Sequence, residues 1–216
     1  MLNERIADLM KMILDVARLV ETMLDLSVQG LLDRDKDKLE KVFELEEKVN
    51  QYEIDIEEEC VALIALQQPE AKNLRTVLMI LKMNNDLERM GDHTCSIVKS
   101  ALFLISKPFI KKFINIPIMA EETKKMLDNT ITAFINEDAE LARQVCINDE
   151  VVDDLREQIY RVLVTYVVDD PTTIKRAFNI NKIAANLERI ADLSTNIAED
   201  TIFICEGKII KHHASE

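Results

Sequence analysis

The residues that interrupt helices are nearly missing from this sequence. Three glycines and four prolines serve 216 positions. Gly30, Pro69, Pro108, Pro117, Pro171 and Gly207 read as breaks between long runs of helix formers, and Gly91 alone stands inside such a run. Breakers this sparse predict a few long helices. Tryptophan is absent and Val/Ile alternation is rare, which argues against strands. No apolar run approaches the ~20 residues that span a bilayer. The opening "MLNERIADLM" carries charge where a secretory signal needs an apolar block. The expectation is a soluble, cytoplasmic protein with no direct membrane insertion. Cys60, Cys95, Cys146 and Cys205 are far apart and form no C-x-x-C pair. They read as small buried hydrophobes in a reducing compartment rather than zinc-knuckle or redox ligands.

Positive charge is also in short supply. Lys and Arg total 27 against 40 Asp and Glu, a formal net charge of −13. That sign argues against nucleic acid and anionic membranes as partners and favours cations or basic protein surfaces. The sequence has no Ser/His/Asp arrangement, no Gly-rich phosphate loop and no H-E-x-x-H. The reading is therefore a non-enzyme.

What is present in quantity is amphipathic helix. Hydrophobic residues make up 48% of the chain, enough for a sizeable core. An all-α fold of six helices is predicted, at roughly 3–29, 35–66, 72–106, 119–135, 138–168 and 173–206. A helix of ~30 residues is ~45 Å long, so such rods must pack side by side. The second helix carries a heptad-like seam of Val42, Leu45, Val49, Tyr52, Ile56 and Leu63. The third carries Ile80, Met83, Leu87, Met90, Ile97, Ala101 and Leu104; the sixth carries Ile180, Ile183, Leu187, Ile190, Ile197 and Ile204.

The two halves repeat. Asp33, Asp35 and Asp37 match Asn136, Asp138 and Glu140 at an offset of 103, Pro69 matches Pro171 at 102, and Glu88 matches Glu188 at 100. Matched features in the same order indicate internal duplication. The predicted organisation is a three-helix repeat at 1–108, a linker at 109–117, a second three-helix repeat at 118–207 and a polar tail at 208–216. His212 and His213 fall in that tail.

The phrase "DLERMGD" at 86–92 returns as "NLERIAD" at 186–192. Glu88 and Asp92 are i and i+4 on one helix face, as are Glu188 and Asp192. Asp149 and Asp153 make a further pair on the fifth helix, with Glu46 and Asn50 as their counterparts on the second. If the second and third helices of each half are antiparallel neighbours, four oxygen-bearing side chains converge. Carboxylates that close need a cation among them or must give up charge. Oxygen-only ligands suit Mg²⁺, Ca²⁺, Mn²⁺ or iron better than a structural zinc. The competing reading is a solvated acidic face, with Arg89 and Arg189 as ordinary ion-pair partners. Asn50 leaves the first set with three acids, so the second set, Asp149, Asp153, Glu188 and Asp192, is expected to be the stronger site. His93 has Leu193 as its counterpart and reads as a solvent or capping residue. Gly91 and Ala191 read as small residues that admit a neighbouring helix.

"LERMGDH" and "LERIADLSTNIAE", with "QQPEAKNLR" before the first and a terminal "CEGKIIKHH", resemble the PhoU phosphate-uptake regulators across nearly the whole chain. The resemblance implies two three-helix bundles related by pseudo-symmetry and a cytoplasmic homodimer. In some members it implies multinuclear iron or zinc clusters on E/D-x-x-x-D motifs. Carried over by position, the metal candidates are Glu46, Glu88, Asp92, Asp149, Asp153, Glu188 and Asp192, with Asn50 a departure from the pattern. The resemblance also implies repression of phosphate-starvation signalling and restraint of a Pst-type phosphate ABC transporter, through the transporter ATPase and a sensor histidine kinase. Two alternatives stand beside it. A structural helical adaptor would share the fold without metal. A ferritin-like carboxylate enzyme would need Glu-x-x-His on two helices, which the sequence does not offer.

Overall fold

The structure is a computed structural model, and it describes residues 2–108 and 115–206. Six helices account for nearly all of it: α1 (Leu2–Asp33), α2 (Lys36–Gln67), α3 (Ala71–Ile105), α4 (Asn115–Asn136), α5 (Ala139–Asp169) and α6 (Ile174–Glu206). A single 3₁₀ turn, Pro171–Thr173, precedes α6. No strand occurs among the described residues. The expected helices are all present, and α4 is longer at its start. It begins at Asn115, so residues 115–117 form its first turn rather than part of a linker. Pro117 fits there because first-turn N–H groups have no intrahelical acceptor to lose. The rest of the expected linker (109–114) and the polar tail lie outside the described residues.

α1, α2 and α3 pack on one another, as do α4, α5 and α6, and the two bundles join through α3 against α6 and α1 against α4. The apolar stripes face inward as their spacing requires. Leu87, Met90, Leu187 and Ile190 are fully buried, and residues from all six helices form one continuous cluster. Tyr52 and Ile204 are half-buried at its edge.

The duplication is visible atom by atom in the first turn of each half. Arg34 (φ 57°) and Glu137 (φ 49°) both take the left-handed conformation after a helix end. The next residue's N–H then reaches back five positions: Asp35 to the Gly30 carbonyl at 2.9 Å, and Asp138 to the Ala133 carbonyl at 2.8 Å. This is the 6→1 closure of a Schellman motif. Asp35 then accepts from the N–H groups of Asp37 and Lys38, and Asp138 from those of Glu140 and Leu141, capping α2 and α5. Gly30 is therefore not a break. It lies inside α1, where a Cβ would sit 2.7 Å from Leu39 Cγ. Its role is to let α1 and α2 close on each other.

The second turn differs between halves. After α2, Gln68 (φ 42°) donates its N–H to the Ile64 carbonyl. After α5, Asp170 caps the 3₁₀ turn, accepting from the Thr172 N–H and hydroxyl. Core positions Val49, Ile56 and Cys60 match Val152, Ile159 and Leu163 at an offset of 103, whereas Ile80 and Leu87 match Ile180 and Leu187 at 100. The whole drift falls between Cys60 and Ile80, a stretch that is three residues shorter between their counterparts Leu163 and Ile180.

Candidate metal-binding sites

α2 and α3 run antiparallel. The Asn84 side-chain amide of α3 donates to the Glu53 carbonyl of α2 at 2.9 Å, and the Cys60 thiol of α2 faces the Val77 carbonyl. Glu46 and Glu53 are i and i+7 on α2, and Glu88 and Asp92 are i and i+4 on α3, so both sets border the same groove. The Glu88 carboxyl is held above its usual range, first by burial and then by the charges of Asp92, Glu53 and Glu46. Glu46 also lies against the Cys95 thiol, which burial chiefly pushes up to about 12. Asn50 is exposed on α2.

The second half repeats the groove between α5 and α6, with one exchange. Position 156, which corresponds to Glu53 at the offset of 103, is arginine. Arg156 Nε lies 2.8 Å from Glu188 Oε2. Glu188 is raised by burial first; Arg156 opposes the rise, and Asp153 and Asp192 add to it. Arg189 reaches Asp192 at 3.5 Å, one of the ion pairs expected above. Its counterpart Arg89 reaches Asp86 at 3.6 Å rather than Glu88 or Asp92. Asp149 sits beside Cys146 and Glu199, where both carboxylates help to raise the thiol. The count that favoured the second set of ligands omits Glu53 and Arg156. With them the first groove holds four acids, and the second holds four acids with two guanidinium groups paired to them. Both residues were legible as positions: Glu53 follows Glu46 by one heptad, and Arg156 is its image in the repeat.

Among the described residues, no three His, Cys, Asp or Glu side chains are drawn together closely enough to hold one ion. The grooves are acidic neighbourhoods rather than closed cages. The first nevertheless fits a hard cation in chemistry. Its donors are carboxylate oxygens, and none of its four acids has an ion-pair partner among the described residues. Beside them is Asn84, 2% exposed, whose Oδ1 accepts no hydrogen bond. A buried orphan acceptor one turn before Glu88 is a group that a cation or its bound water would satisfy.

The seam between the bundles holds a different set of groups. α3 and α6 also run antiparallel, tied by an ion pair between Lys82 and Asp200 and by His93 Nδ1 to Asn186 Oδ1 at 2.9 Å. His93 is thus a half-buried link between repeats, not a solvent-facing or capping residue. Asp86, 9% exposed, lines the same cleft, of about 720 Å³, with Lys82, Arg89 and Leu193. Burial raises its pKa to about 6, partly countered by Arg89. Gly91, expected to admit a close helix, has ordinary space: a Cβ there would meet Val49 Cγ1 at 3.6 Å and Met23 Cε at 3.7 Å.

A duplicated three-helix bundle with a carboxylate groove in each half defines a class of helical tandem-repeat scaffolds. Within that class the PhoU domain matches this chain twice, at residues 13–101 and 116–201. The chain belongs to the PhoU family. It is 37% identical over 200 residues to the phosphate-specific transport system accessory protein PhoU homolog of Aquifex aeolicus, covering 93% of this chain and 90% of that protein. It is 32% identical over 216 residues to PhoU homolog 2 of Thermotoga maritima, covering all of this chain and 92% of that one. The crystal structure of PhoU from Pseudomonas aeruginosa superimposes with a TM-score of 0.93 at 33% identity, over 96% of this chain and 100% of that chain. The phosphate transport system regulatory protein PhoU from Streptococcus pneumoniae gives 0.90 at 25% identity, over 98% of this chain and 100% of that chain.

Proposed function

We propose that this chain is a regulatory accessory of phosphate uptake. It acts by contact with the ATPase of a Pst-type phosphate ABC transporter and with a sensor histidine kinase, and it represses phosphate-starvation signalling when phosphate is plentiful. The observation that carries this reading is the double PhoU-domain match over one continuous fold, alongside relatives whose names describe accessory proteins of phosphate-specific transport. No helix among the described residues is long and apolar enough to cross a membrane, in keeping with a chain that meets its partners from outside the bilayer. The working form in this reading is a cytoplasmic homodimer that performs no catalysis.

Two surface features support action by contact. A net charge of −13 favours a basic docking face on the partner. Val168, Ile174, Phe178 and Tyr160 stand 75%, 58%, 58% and 52% exposed around an apolar groove where α5 meets α6. A divalent cation or iron, held by Glu46, Glu53, Glu88 and Asp92, would neutralise the α2–α3 groove and fix the two helix faces in register. Its contribution is charge compensation for shape.

Deleting the chain is expected to switch on phosphate-starvation genes in rich phosphate, measured as reporter expression. A pull-down with the transporter ATPase is expected to weaken as ionic strength rises. Unchanged starvation genes together with no binding to either partner would reject the regulatory reading in favour of a structural adaptor.

A further inference from the structure

Two buried side-chain atoms among the described residues lack a hydrogen-bond partner, and they have opposite polarity. One is the Oδ1 of Asn84, an acceptor beside the first groove. The other is the Nε of Arg156, a donor inside the second. Neither has an equivalent in the other half: Asn84 corresponds to Ala184 at the offset of 100, and Arg156 to Glu53 at 103. The first groove therefore carries excess negative charge and an orphan acceptor. The second carries its own guanidinium, 2.8 Å from Glu188 and not aligned for a hydrogen bond to it.

We propose that Arg156 is a built-in counter-ion that occupies, in the second repeat, the place a bound divalent cation takes in the first. The duplicated chain has then become one cation-dependent half and one self-neutralised half. This rests on the metal-binding part of the function proposed above. The physical argument is charge balance. A guanidinium is a permanent cation that no chelator removes, and its planar fork pairs with carboxylates as a divalent ion would. Arg189 on Asp192 adds a second positive charge to the same groove. A dication entering there must displace Arg156 from Glu188 and then sit beside it, at like-charge cost. Among the described residues no guanidinium is paired with a carboxylate of the first groove, where Arg89 turns to Asp86 and acts on Glu88 only through space. Glu46, Glu53, Glu88 and Asp92 border one groove as like charges, and none of them is in an ion pair among the described residues.

The experiment uses the full chain, stripped with chelator and titrated with Mn²⁺ alone. Bound and free metal are followed by electron paramagnetic resonance, and thermal unfolding is measured with and without metal. Glu88→Gln with Asp92→Asn is expected to abolish Mn²⁺ uptake, and Glu188→Gln with Asp192→Asn to leave it intact. Arg156→Glu is expected to add a second class of sites. Glu53→Arg is expected to lose uptake and to raise the unfolding temperature of the metal-free chain, because the first groove then neutralises itself as the second does. Uptake that survives the first pair and is lost with the second would overturn the proposal while leaving the metal reading intact. A Glu53→Arg variant that keeps Mn²⁺ uptake, or gains no stability when metal-free, would do the same. No uptake by the parent would overturn both, and the starvation-gene reporter would still test the regulatory role separately.

Discussion

Individual residues set opposite expectations at the two described glycines. Gly91 has room for a methyl group and sits in a helix interior, where glycine costs about 1 kcal/mol relative to alanine. Gly91→Ala is expected to stabilise the chain by roughly 0.5–1 kcal/mol in chemical denaturation. Gly30→Ala is expected to destabilise it by about 1–3 kcal/mol, since the new Cβ would overlap Leu39. Asp86 gives a pH-dependent expectation. Its folded pKa of about 6 lies above the ordinary carboxyl value, so its neutral form is favoured by folding. The associated stability is present below about pH 4 and is lost as pH rises through about 6. Asp86→Asn should match the parent in acid and exceed it at pH 8 by an amount on the order of 1–3 kcal/mol. Urea melts at the two pH values measure this, and equal differences at both would show that Asp86 titrates normally.

At the scale of helices, the caps and stripes carry most of the specification. Asp35→Ala and Asp138→Ala each remove an acceptor from two helix-start N–H groups and are expected to cost about 1 kcal/mol. Leu187, fully buried in α6, is expected to cost about 2–5 kcal/mol when cut to alanine, and an unchanged denaturation midpoint would place that stripe at the surface. These elements were legible because heptad spacing and Asp caps are local signals. Helix ends were less so. Gly30 and Pro117 look like breaks in sequence, yet Gly30 answers a steric demand from Leu39 and Pro117 falls where a helix needs no donor. The acidic i,i+4 pairs on α3 and α6 were legible for the same local reason. Arg156 beside Glu188 and His93 beside Asn186 were not, because each joins two helices whose register only packing decides.

For the whole molecule, the continuous core predicts that the two repeats melt as one unit. Calorimetric and van't Hoff enthalpies are expected to agree, and two resolved transitions would contradict the shared core. The seam itself has a pattern worth following. α3 and α6 cross antiparallel, so the halves meet as two copies of one object would about a two-fold axis. In an evenly matched pair, position 93 of each copy would face position 86 of the other. Here one crossing is His93 with Asn186, while at the other Leu193 shares a cleft with Asp86. Asp86 is thus a carboxylate with no histidine at its own crossing, and its rise on burial is opposed only by Arg89 and Lys82. The single chain pairs its two repeats as two copies would pair, yet its two crossings are free to differ because they are made of different residues. A histidine introduced at Leu193 would restore the lost half of that handshake and draw the Asp86 pKa back down.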